Sequence, residues 1–249
     1  MEYAFRCQYY FPEEMIRMTI IPALEFQNDF SSINITILII TVFGASGQVG
    51  KRVVTYALAK GHTVRAFGRN VIDLIDKDIR NDRLEAIMGS VFDEQQVGDA
   101  VKGADAVISA LGGSLSSDDK TRSLGMKKIV AQMQKFGVRE LISVGGLGLL
   151  STDDGKFIMD TPNYPKEYIS VGMEHKHAFL AMQNSMLDWT FVCSPDIKEG
   201  DGEGRYVVSD TFLPQPNNFY ILTGDLAHFM VNEAEHPKHK KQRVGISAV

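Results

Sequence analysis

Cysteine is scarce in this sequence of 249 residues, which has only Cys7 and Cys193. Two cysteines exclude a disulfide framework and a cysteine-rich zinc site, and they favour a reducing, cytoplasmic setting. Basic residues are also few, since 26 Lys and Arg stand against 31 Asp and Glu and give a formal net charge of −5. This mild acidity argues against nucleic acid as a partner and against attraction to an anionic membrane.

Long hydrophobic runs are absent as well. The longest apolar run, residues 37–43, is far shorter than the roughly 20 residues that span a bilayer, so it predicts a buried strand. The first thirty residues include early acidic residues and no uninterrupted apolar stretch, which does not match a secretory signal. We expect residues 1–34 to form an N-terminal extension, either a short added helix or a disordered segment, ahead of one domain at 35–249.

From residue 35 onward, apolar runs of strand length alternate with segments of helical spacing. Continuously apolar strands need cover on both faces, which parallel sheets obtain from their crossover helices. The alternation therefore predicts an α/β, single-domain Rossmann fold with a doubly wound, mostly parallel sheet. The predicted strands are 37–43, 64–67, 104–111, 140–144 and 189–193. The segments of helical spacing carry Val49, Val53, Val54, Ala57 and Leu58 on one face, then Met126, Ile129, Val130 and Met133, and later Met173, Lys176, His177 and Leu180, and Leu226, Phe229 and Met230.

The strongest chemical signal is a G-x-x-G-x-x-G pattern between an apolar strand and an amphipathic helix, formed by Gly44, Gly47 and Gly50. In this context the pattern is typical of a dinucleotide-binding turn. Gly44 permits the tight turn, Gly47 lets the backbone approach a pyrophosphate, and Gly50 lets the helix pack closely on the strand. The phosphates would then lie on the free N–H groups of the helix. The alternative is a plain strand-to-helix turn built from small residues.

The end of the second strand indicates which nucleotide binds. Folds that bind NAD place an acidic residue there, whereas an arginine accommodates the phosphate of NADP. Here the strand ends in Arg69 and Asn70, with no carboxylate before Asp73. The sequence therefore predicts NADP as the cofactor, with NADPH preferred over NADH. The alternative is that Arg69 is a solvated surface arginine.

These segments together resemble a known family. GASGQVG, RAFGRN and GSVFDEQQVGDAVKGADAVISALGG are followed by MKKIVAQMQKFGVRELISVGG, LDWTFVCSPDI and ILTGDLAHFMVNEAEHP. The chain is similar to the atypical (extended-type and NmrA-like) short-chain dehydrogenase/reductase superfamily, and most similar to its biliverdin reductase B/flavin reductase group. The likeness covers nearly all of residues 36–249.

The resemblance implies a set of cofactor-binding residues along the strand ends. It implies that the pyrophosphate is lined by Gly44, Ser46, Gly47, Gln48 and Val49, that Arg69 meets the 2′-phosphate, that Ser90 and Val91 flank the adenine, and that Leu111, Gly112 and Gly113 lie beside the ribose and nicotinamide. Ser90 stands where the family usually has Asp, which weakens that contact. Residues 193–197 would pass near the nicotinamide, with Asp196 where flavin-reductase-like relatives carry His.

The sequence departs from the superfamily in its catalytic residues, and we assign none. Fully equipped members pair a Ser or Thr after the fifth strand with Tyr-x-x-x-Lys, but here Gly145 and Gly146 follow that strand. Lys176 has Gly172 four residues before it, and Tyr164 and Tyr168 are off the required spacing. Relatives of the flavin-reductase type also lack the tyrosine, since a flavin or tetrapyrrole acceptor takes its proton from water.

The remaining candidates carry less weight. His175 and His177 stand two residues apart and so point to different helix faces, which favours no metal site. In the long segment 147–170, Phe157, Tyr164 and Tyr168 either form an aromatic wall for a planar substrate or pack the loop onto the domain.

We therefore expect an oxidoreductase that transfers hydride from NADPH to a small-molecule substrate, a flavin-like or other planar conjugated acceptor. The alternative is a non-catalytic NADP(H)-binding regulator of the NmrA-like kind. An epimerase or dehydratase is disfavoured, because it normally needs the Tyr-x-x-x-Lys pair. We expect a monomer or a weak oligomer.

Overall fold

Strands and helices alternate along the chain in the computed structural model, which describes residues 36–74, 81–114, 116 and 118–249. The predicted extension, residues 1–34, lies outside the described residues. The strands are β1 Ile39–Phe43, β2 Thr63–Gly68, β3 Leu84–Met88, β4 Ala106–Ser109, β5 Glu140–Gly146, β6 Asp188–Ser194, β7 Asp196–Lys198, β8 Tyr206–Asp210, β9 Tyr220–Leu222 and β10 Gln242–Ala248. The helices are α1 Gln48–Ala59, α2 Val71–Leu74, α3 Glu94–Val101, α4 Thr121–Phe136, α5 Ile169–Gln183 and α6 Thr223–Glu235.

Eight of the described strands form one sheet in the order β3-β2-β1-β4-β5-β6-β10-β8. All neighbouring pairs are parallel except β10 with β8, which is antiparallel. The strand order reverses between β1 and β4, the point at which open α/β sheets bind ligands beyond their carboxyl ends. The remaining strands, β7 and β9, pair with each other as a short parallel ribbon.

Helices cover both faces of this sheet, so the predicted doubly wound fold is confirmed. On one face, α1 and α6 bury an apolar cluster that includes Val53, Val54, Leu226 and Met230. On the other face, α3, α4 and α5 bury a second cluster, whose members include Met126, Ile129, Phe179 and Met182. The central strands supply both clusters, as expected for continuously apolar runs. No described helix combines the length and the apolar character needed to cross a bilayer.

The residues whose helical spacing marks α5 in the sequence are not the ones that the helix buries. Met173 and Leu180 are exposed, with 38% and 37% of their surface accessible. The face that packs on the sheet instead carries Gly172, Ala178, Phe179 and Met182, together with the carboxylate of Glu174. That carboxylate accepts a hydrogen bond from the backbone N–H of Ser123, 3.2 Å away, near the start of α4. Because this helix buries small residues and an acid, its buried face has no continuous row of large apolar residues that could be recognised in the sequence.

Candidate functional site

A cleft of about 1020 Å³ runs along the carboxyl ends of the parallel strands. Its lining comes from the turns that follow β1 to β6, and it therefore crosses the reversal between β1 and β4. Ligand pockets have typical volumes of roughly 300–1,000 Å³, so this cleft lies at the upper end of that range. All the predicted cofactor residues except Gly113 line it: Gly44, Ser46, Gly47, Gln48, Val49, Arg69, Ser90, Val91, Leu111 and Gly112.

The turn from β1 to α1 has the geometry predicted for two of its glycines. Gly44 has φ of +75°, and a Cβ there would lie 2.5 Å from the carbonyl oxygen of Ala110. A Cβ on Gly50 would lie 2.1 Å from the carbonyl oxygen of Gly44, so only glycine lets α1 pack this closely on the strand end. Both positions therefore require glycine for the fold itself.

Gly47 differs from its two neighbours in the motif. It is the N-cap residue of α1 with φ of −76° and ψ of 169°, an extended conformation open to any residue. No side chain caps this helix end and no acidic residue stands in its first turn. The first N–H groups and the positive end of the helix dipole therefore face the cleft with no competing anion from α1, which fits the pyrophosphate of a dinucleotide.

Arg69 lies just beyond the end of β2, exposed, and lines the cleft. The strand before it is fixed by the ring of Phe67, which lies against the ring of Phe43 with centroids 4.9 Å apart. Gly89, after β3, leaves room for this ring, because a Cβ there would lie 2.6 Å from it. A guanidinium at this rim suits a phosphate, to which it can donate two parallel hydrogen bonds.

The other predicted cofactor residues follow β3 and β4. The backbone N–H of Ser90 donates to Oε1 of Gln96 at 2.8 Å, and the Ser90 hydroxyl accepts from the N–H of Phe92 at 3.3 Å. Val91 and Leu111 lie against Gly125 of α4, where a Cβ would be 2.8 Å from the Leu111 side chain. Gly113 does not line the cleft.

Gly113 instead helps to position a residue that the sequence analysis missed. Its carbonyl oxygen accepts a hydrogen bond from Nη2 of Arg122 at 3.1 Å, and Arg122 does line the cleft. Burial lowers the pKa of this guanidinium, while Asp119 and Glu174 favour its charged form. Arg122 thus places a fixed positive charge beside the turn that follows β4. Nothing in the local sequence distinguishes it, because only the packing of α4 brings it there.

His175 is a second lining residue that sequence reasoning did not assign. Its ring lies beside Gly146, where a Cβ would be 3.1 Å from Cδ2 of the imidazole. Burial, with a further contribution from the positive charge of Arg122, lowers the pKa of His175 to about 3. The imidazole is therefore neutral at physiological pH, and it can exchange hydrogen bonds with a ligand without carrying charge. His177 is exposed on the same helix.

The structure explains why the usual hydroxyl group is missing after the fifth strand. A Cβ on Gly145 would lie 2.0 Å from the ring of Phe191, so no larger residue fits without moving that ring. Gly172 faces the terminal methyl group of Met159 and the hydroxyl of Tyr164, which would lie 3.1 Å and 3.5 Å from a Cβ there. A side chain at Gly145 would therefore require the Phe191 ring to move, and one at Gly172 would require the tip of Met159 to shift.

Lys176 does not take part in the cleft. Its Nζ lies 3.3 Å from Oδ2 of Asp160 and 5.0 Å from the centre of the Phe157 ring. Tyr164 and Tyr168 both line the cleft, and burial raises the pKa of Tyr164. The described cleft therefore contains two phenols but no lysine beside either of them to lower its pKa.

The predicted aromatic wall forms only in part. Phe157 packs inward instead, edge-on to Phe179 with ring centroids 6.3 Å apart. The guanidinium of Arg243 on β10 lies 4.8 Å from the Phe157 ring, and its Nη2 donates to the hydroxyl of Ser151 at 3.1 Å. Phe157 and Arg243 thus hold the long segment 147–170 against the sheet.

The end of β6 and the residues after it also line the cleft. Ser194, Pro195, Asp196 and Ile197 line it, together with Phe219 from the loop before β9. Cys193 does not line it, and burial raises the pKa of that thiol to about 12. Among the described residues, no group of three or more His, Cys, Asp and Glu side chains is arranged to hold a metal ion.

Comparison with known proteins assigns the family. A family model described as "NAD(P)H-binding" matches residues 44–237. The chain is 28% identical over 211 residues to "Uncharacterized protein YwnB" of Bacillus subtilis strain 168, covering 82% of this chain and 95% of that protein.

Solved structures share the fold. A protein named "putative epimerase" from Bacteroides thetaiotaomicron is 29% identical with a TM-score of 0.75, covering 86% of this chain and 98% of its own. One named "putative NADH-flavin reductase" from Streptococcus pneumoniae TIGR4 is 25% identical with a TM-score of 0.72, covering 85% of this chain and 100% of its own. With the glycine turn, the cleft at the strand reversal and a family match over most of its length, the chain belongs to the NAD(P)H-binding family of Rossmann-fold proteins.

Proposed function

We propose that this protein is an NADPH-dependent reductase that transfers hydride to a flavin-like, planar conjugated acceptor, and that it belongs with the biliverdin reductase B/flavin reductase group. The observation that carries the proposal is the cleft itself. It is lined by the uncapped N-terminus of α1 and also by Tyr168 and Phe219, which are not among the predicted cofactor residues. These two residues offer aromatic and apolar surface without the Tyr-x-x-x-Lys pair.

The chemistry of the step suits a site without a dedicated acid. NADPH supplies a hydride, which is two electrons and one proton, and becomes NADP⁺. The flavin takes up this hydride and one further proton from water, and becomes the dihydroflavin. No alkoxide forms, so no side chain has to donate a proton to an oxygen. Gly145 and Gly172 are compatible with such a reaction, whereas an alcohol dehydrogenase or epimerase would need the groups that they replace.

The role of the protein's residues is then to bind the cofactor and the acceptor, to orient them toward each other, and to exclude water. The turn at Gly47 would hold the pyrophosphate, and Arg69 would hold the 2′-phosphate, which would make NADPH the preferred cofactor. Arg122 and the neutral His175 border the middle of the cleft, where the nicotinamide half would lie beside Leu111 and Gly112. A positive charge at this point favours the acceptor as it gains electron density during reduction.

A second candidate is a non-catalytic NADP(H)-binding regulator of the NmrA-like kind. The same glycines favour it, because Gly145 and Gly146 stand where a hydroxyl residue is expected and Gly172 stands where the tyrosine of Tyr-x-x-x-Lys is expected, which leaves only Lys176 of that pair. The two candidates share the cofactor site and differ in whether bound NADPH is consumed.

We also propose that the protein acts in the cytoplasm as a monomer or weak oligomer, without nucleic acid or membrane as a partner. The net charge of −5 and the free, buried Cys193 are consistent with this setting.

Oxidation of NADPH, followed by its absorbance, tests the proposal when FMN, riboflavin and quinones are supplied in turn. We expect turnover with at least one planar acceptor and slower turnover with NADH. Tight NADPH binding without oxidation by any of these acceptors would contradict the reductase and favour the regulator.

A further inference from the structure

Phe219 combines an unfavourable backbone conformation with an exposed side chain, and neither stabilises the fold. Its φ is +55°, a left-handed conformation that brings Cβ close to the following carbonyl and that a bulky residue rarely adopts. Its ring is 60% exposed, so little of the cost is recovered by burial. A residue of this kind persists at ligand-binding sites, where the surrounding structure holds it.

The surroundings of Phe219 fix its backbone from both sides. Its N–H donates to Oδ1 of Asn217 at 2.8 Å, and its carbonyl accepts from the N–H of Asp196 at 3.3 Å. The same Oδ1 accepts from the hydroxyl of Ser247 on β10 at 3.0 Å, which ties this turn to the main sheet. The next residue begins β9, which is in register with β7. The ring is therefore presented from a rigid backbone.

The ring stands at the end of the cleft away from the predicted nucleotide-binding turns. Phe219 lines it together with Pro195, Asp196 and Ile197, which follow β6. In the sheet, β6 lies two strands beyond β4, whereas the adenine and 2′-phosphate residues follow β2 and β3 on the other side of β1. A ligand that meets Phe219 is thus not the adenosine half of the cofactor, which leaves the nicotinamide end and the acceptor that reacts there.

We propose that Phe219 is a specificity-determining residue whose ring stacks on the planar acceptor. Aromatic rings attract one another in offset or edge-to-face arrangements in addition to the burial of their area. A rigid, exposed ring at this position selects acceptors with an extended conjugated plane, such as the isoalloxazine of a flavin, over small carbonyl compounds. This assignment rests on the proposed function for the identity of the acceptor, and on the geometry for the site.

The test uses the full chain loaded with NADP⁺ or NADPH and the probe riboflavin. Phe219→Ala should weaken riboflavin binding, read from quenching of flavin fluorescence, and raise its KM, each by about tenfold. Phe219→Tyr should keep both the riboflavin affinity and the riboflavin KM close to those of the unmutated protein. The dissociation constant of NADPH should stay unchanged. Phe212→Ala is the matched control, because Phe212 is 50% exposed but does not line the cleft.

The results separate this inference from the proposed function. Riboflavin binding that depends on Phe219 without NADPH oxidation supports the inference and contradicts the reductase. NADPH-dependent flavin reduction that Phe219→Ala leaves unchanged overturns the inference and supports the reductase. Absence of riboflavin binding to the unmutated protein also overturns the inference. Phe219→Gly, which suits the positive φ, should leave the thermal midpoint unchanged or higher, and a fall of several degrees would indicate a structural role instead.

Discussion

At the scale of single residues, we predict that Arg69 determines the preference for NADPH over NADH. A hydrogen bond to a charged group contributes about 1.5–3 kcal/mol, or roughly 10- to 150-fold in affinity. NADPH should bind more tightly than NADH by a factor in this range, and Arg69→Ala should remove most of the difference. Calorimetric titration of both cofactors measures it, with Arg205→Ala as the control since Arg205 is exposed and does not line the cleft. Equal affinities in the unmutated protein would reject the assignment.

His175 gives a second prediction at this scale, concerning acid stability. Its folded pKa of about 3 lies below the ordinary value of 6.5, so between these pH values the unfolded chain binds the extra proton. The free energy of unfolding should therefore fall as pH drops below 6.5, by at most about 1.4 kcal/mol per pH unit from this group. Urea denaturation at neutral pH and at pH near 5 should show a smaller fall for His175→Gln than for the unmutated protein. His177→Gln, on the exposed side of α5, should keep the full fall, and an undiminished fall in His175→Gln would contradict the account.

The two phenols of the cleft test the absence of a general acid. General acid catalysis contributes about 10²–10⁴-fold, so loss of a true proton donor is obvious in the rate. Tyr164→Phe and Tyr168→Phe should each lower turnover with riboflavin by less than about tenfold, which is under roughly 1.4 kcal/mol. Lys176→Met, outside the cleft, should behave in the same way. A thousandfold drop in either tyrosine variant, with NADPH affinity intact, would reveal a relocated catalytic tyrosine.

At the scale of elements, two glycines of the β1–α1 turn have different expected roles: Gly47 in binding the cofactor and Gly50 in packing the helix. Gly47 has an extended backbone, and a Cβ there would meet only the carbonyl oxygen of Gly44 at 3.3 Å. Gly47→Val should therefore fold but cover the N-terminus of α1, and lower NADPH affinity by more than about tenfold, or 1.4 kcal/mol. Gly50→Ala should instead lower the thermal midpoint, because its Cβ would overlap the turn. Unchanged NADPH binding in Gly47→Val would place the pyrophosphate elsewhere.

Elements whose pattern is local were predictable from the sequence, and elements that depend on neighbours were not. The runs that became β1, β2, β4, β5 and β6 are mostly apolar, and helices cover both of their faces. Strand β3, at the edge of the sheet, has two exposed and two half-buried residues before an exposed Met88, so it lacks such a run. Strands β7 and β9 are three residues each, too short for a periodic signal.

At the scale of the whole molecule, one part of the cleft is formed by residues close in sequence, and another part is formed by residues that only the packing of distant elements brings together. The part of the cleft lined by the β1–α1 turn and Arg69 was predictable, since the glycine motif and this strand end lie close in sequence as well as in space. The part where we propose that the acceptor binds, the acceptor half, assembles Arg122 from α4, His175 from α5 and Phe219 from the loop before β9. Only the packing of these elements brings the three side chains to one cleft, and no spacing in the sequence records it. Predicting the acceptor half requires the three-dimensional structure.

The most direct test of the central claim is a single turnover without oxygen, in which the protein is mixed with riboflavin and NADPH that carries deuterium at the transferable position. The account predicts bleaching of the flavin at a rate that the deuterium slows, with loss of the reaction in Gly47→Val. Binding of NADPH while the flavin stays oxidised would contradict hydride transfer in this cleft.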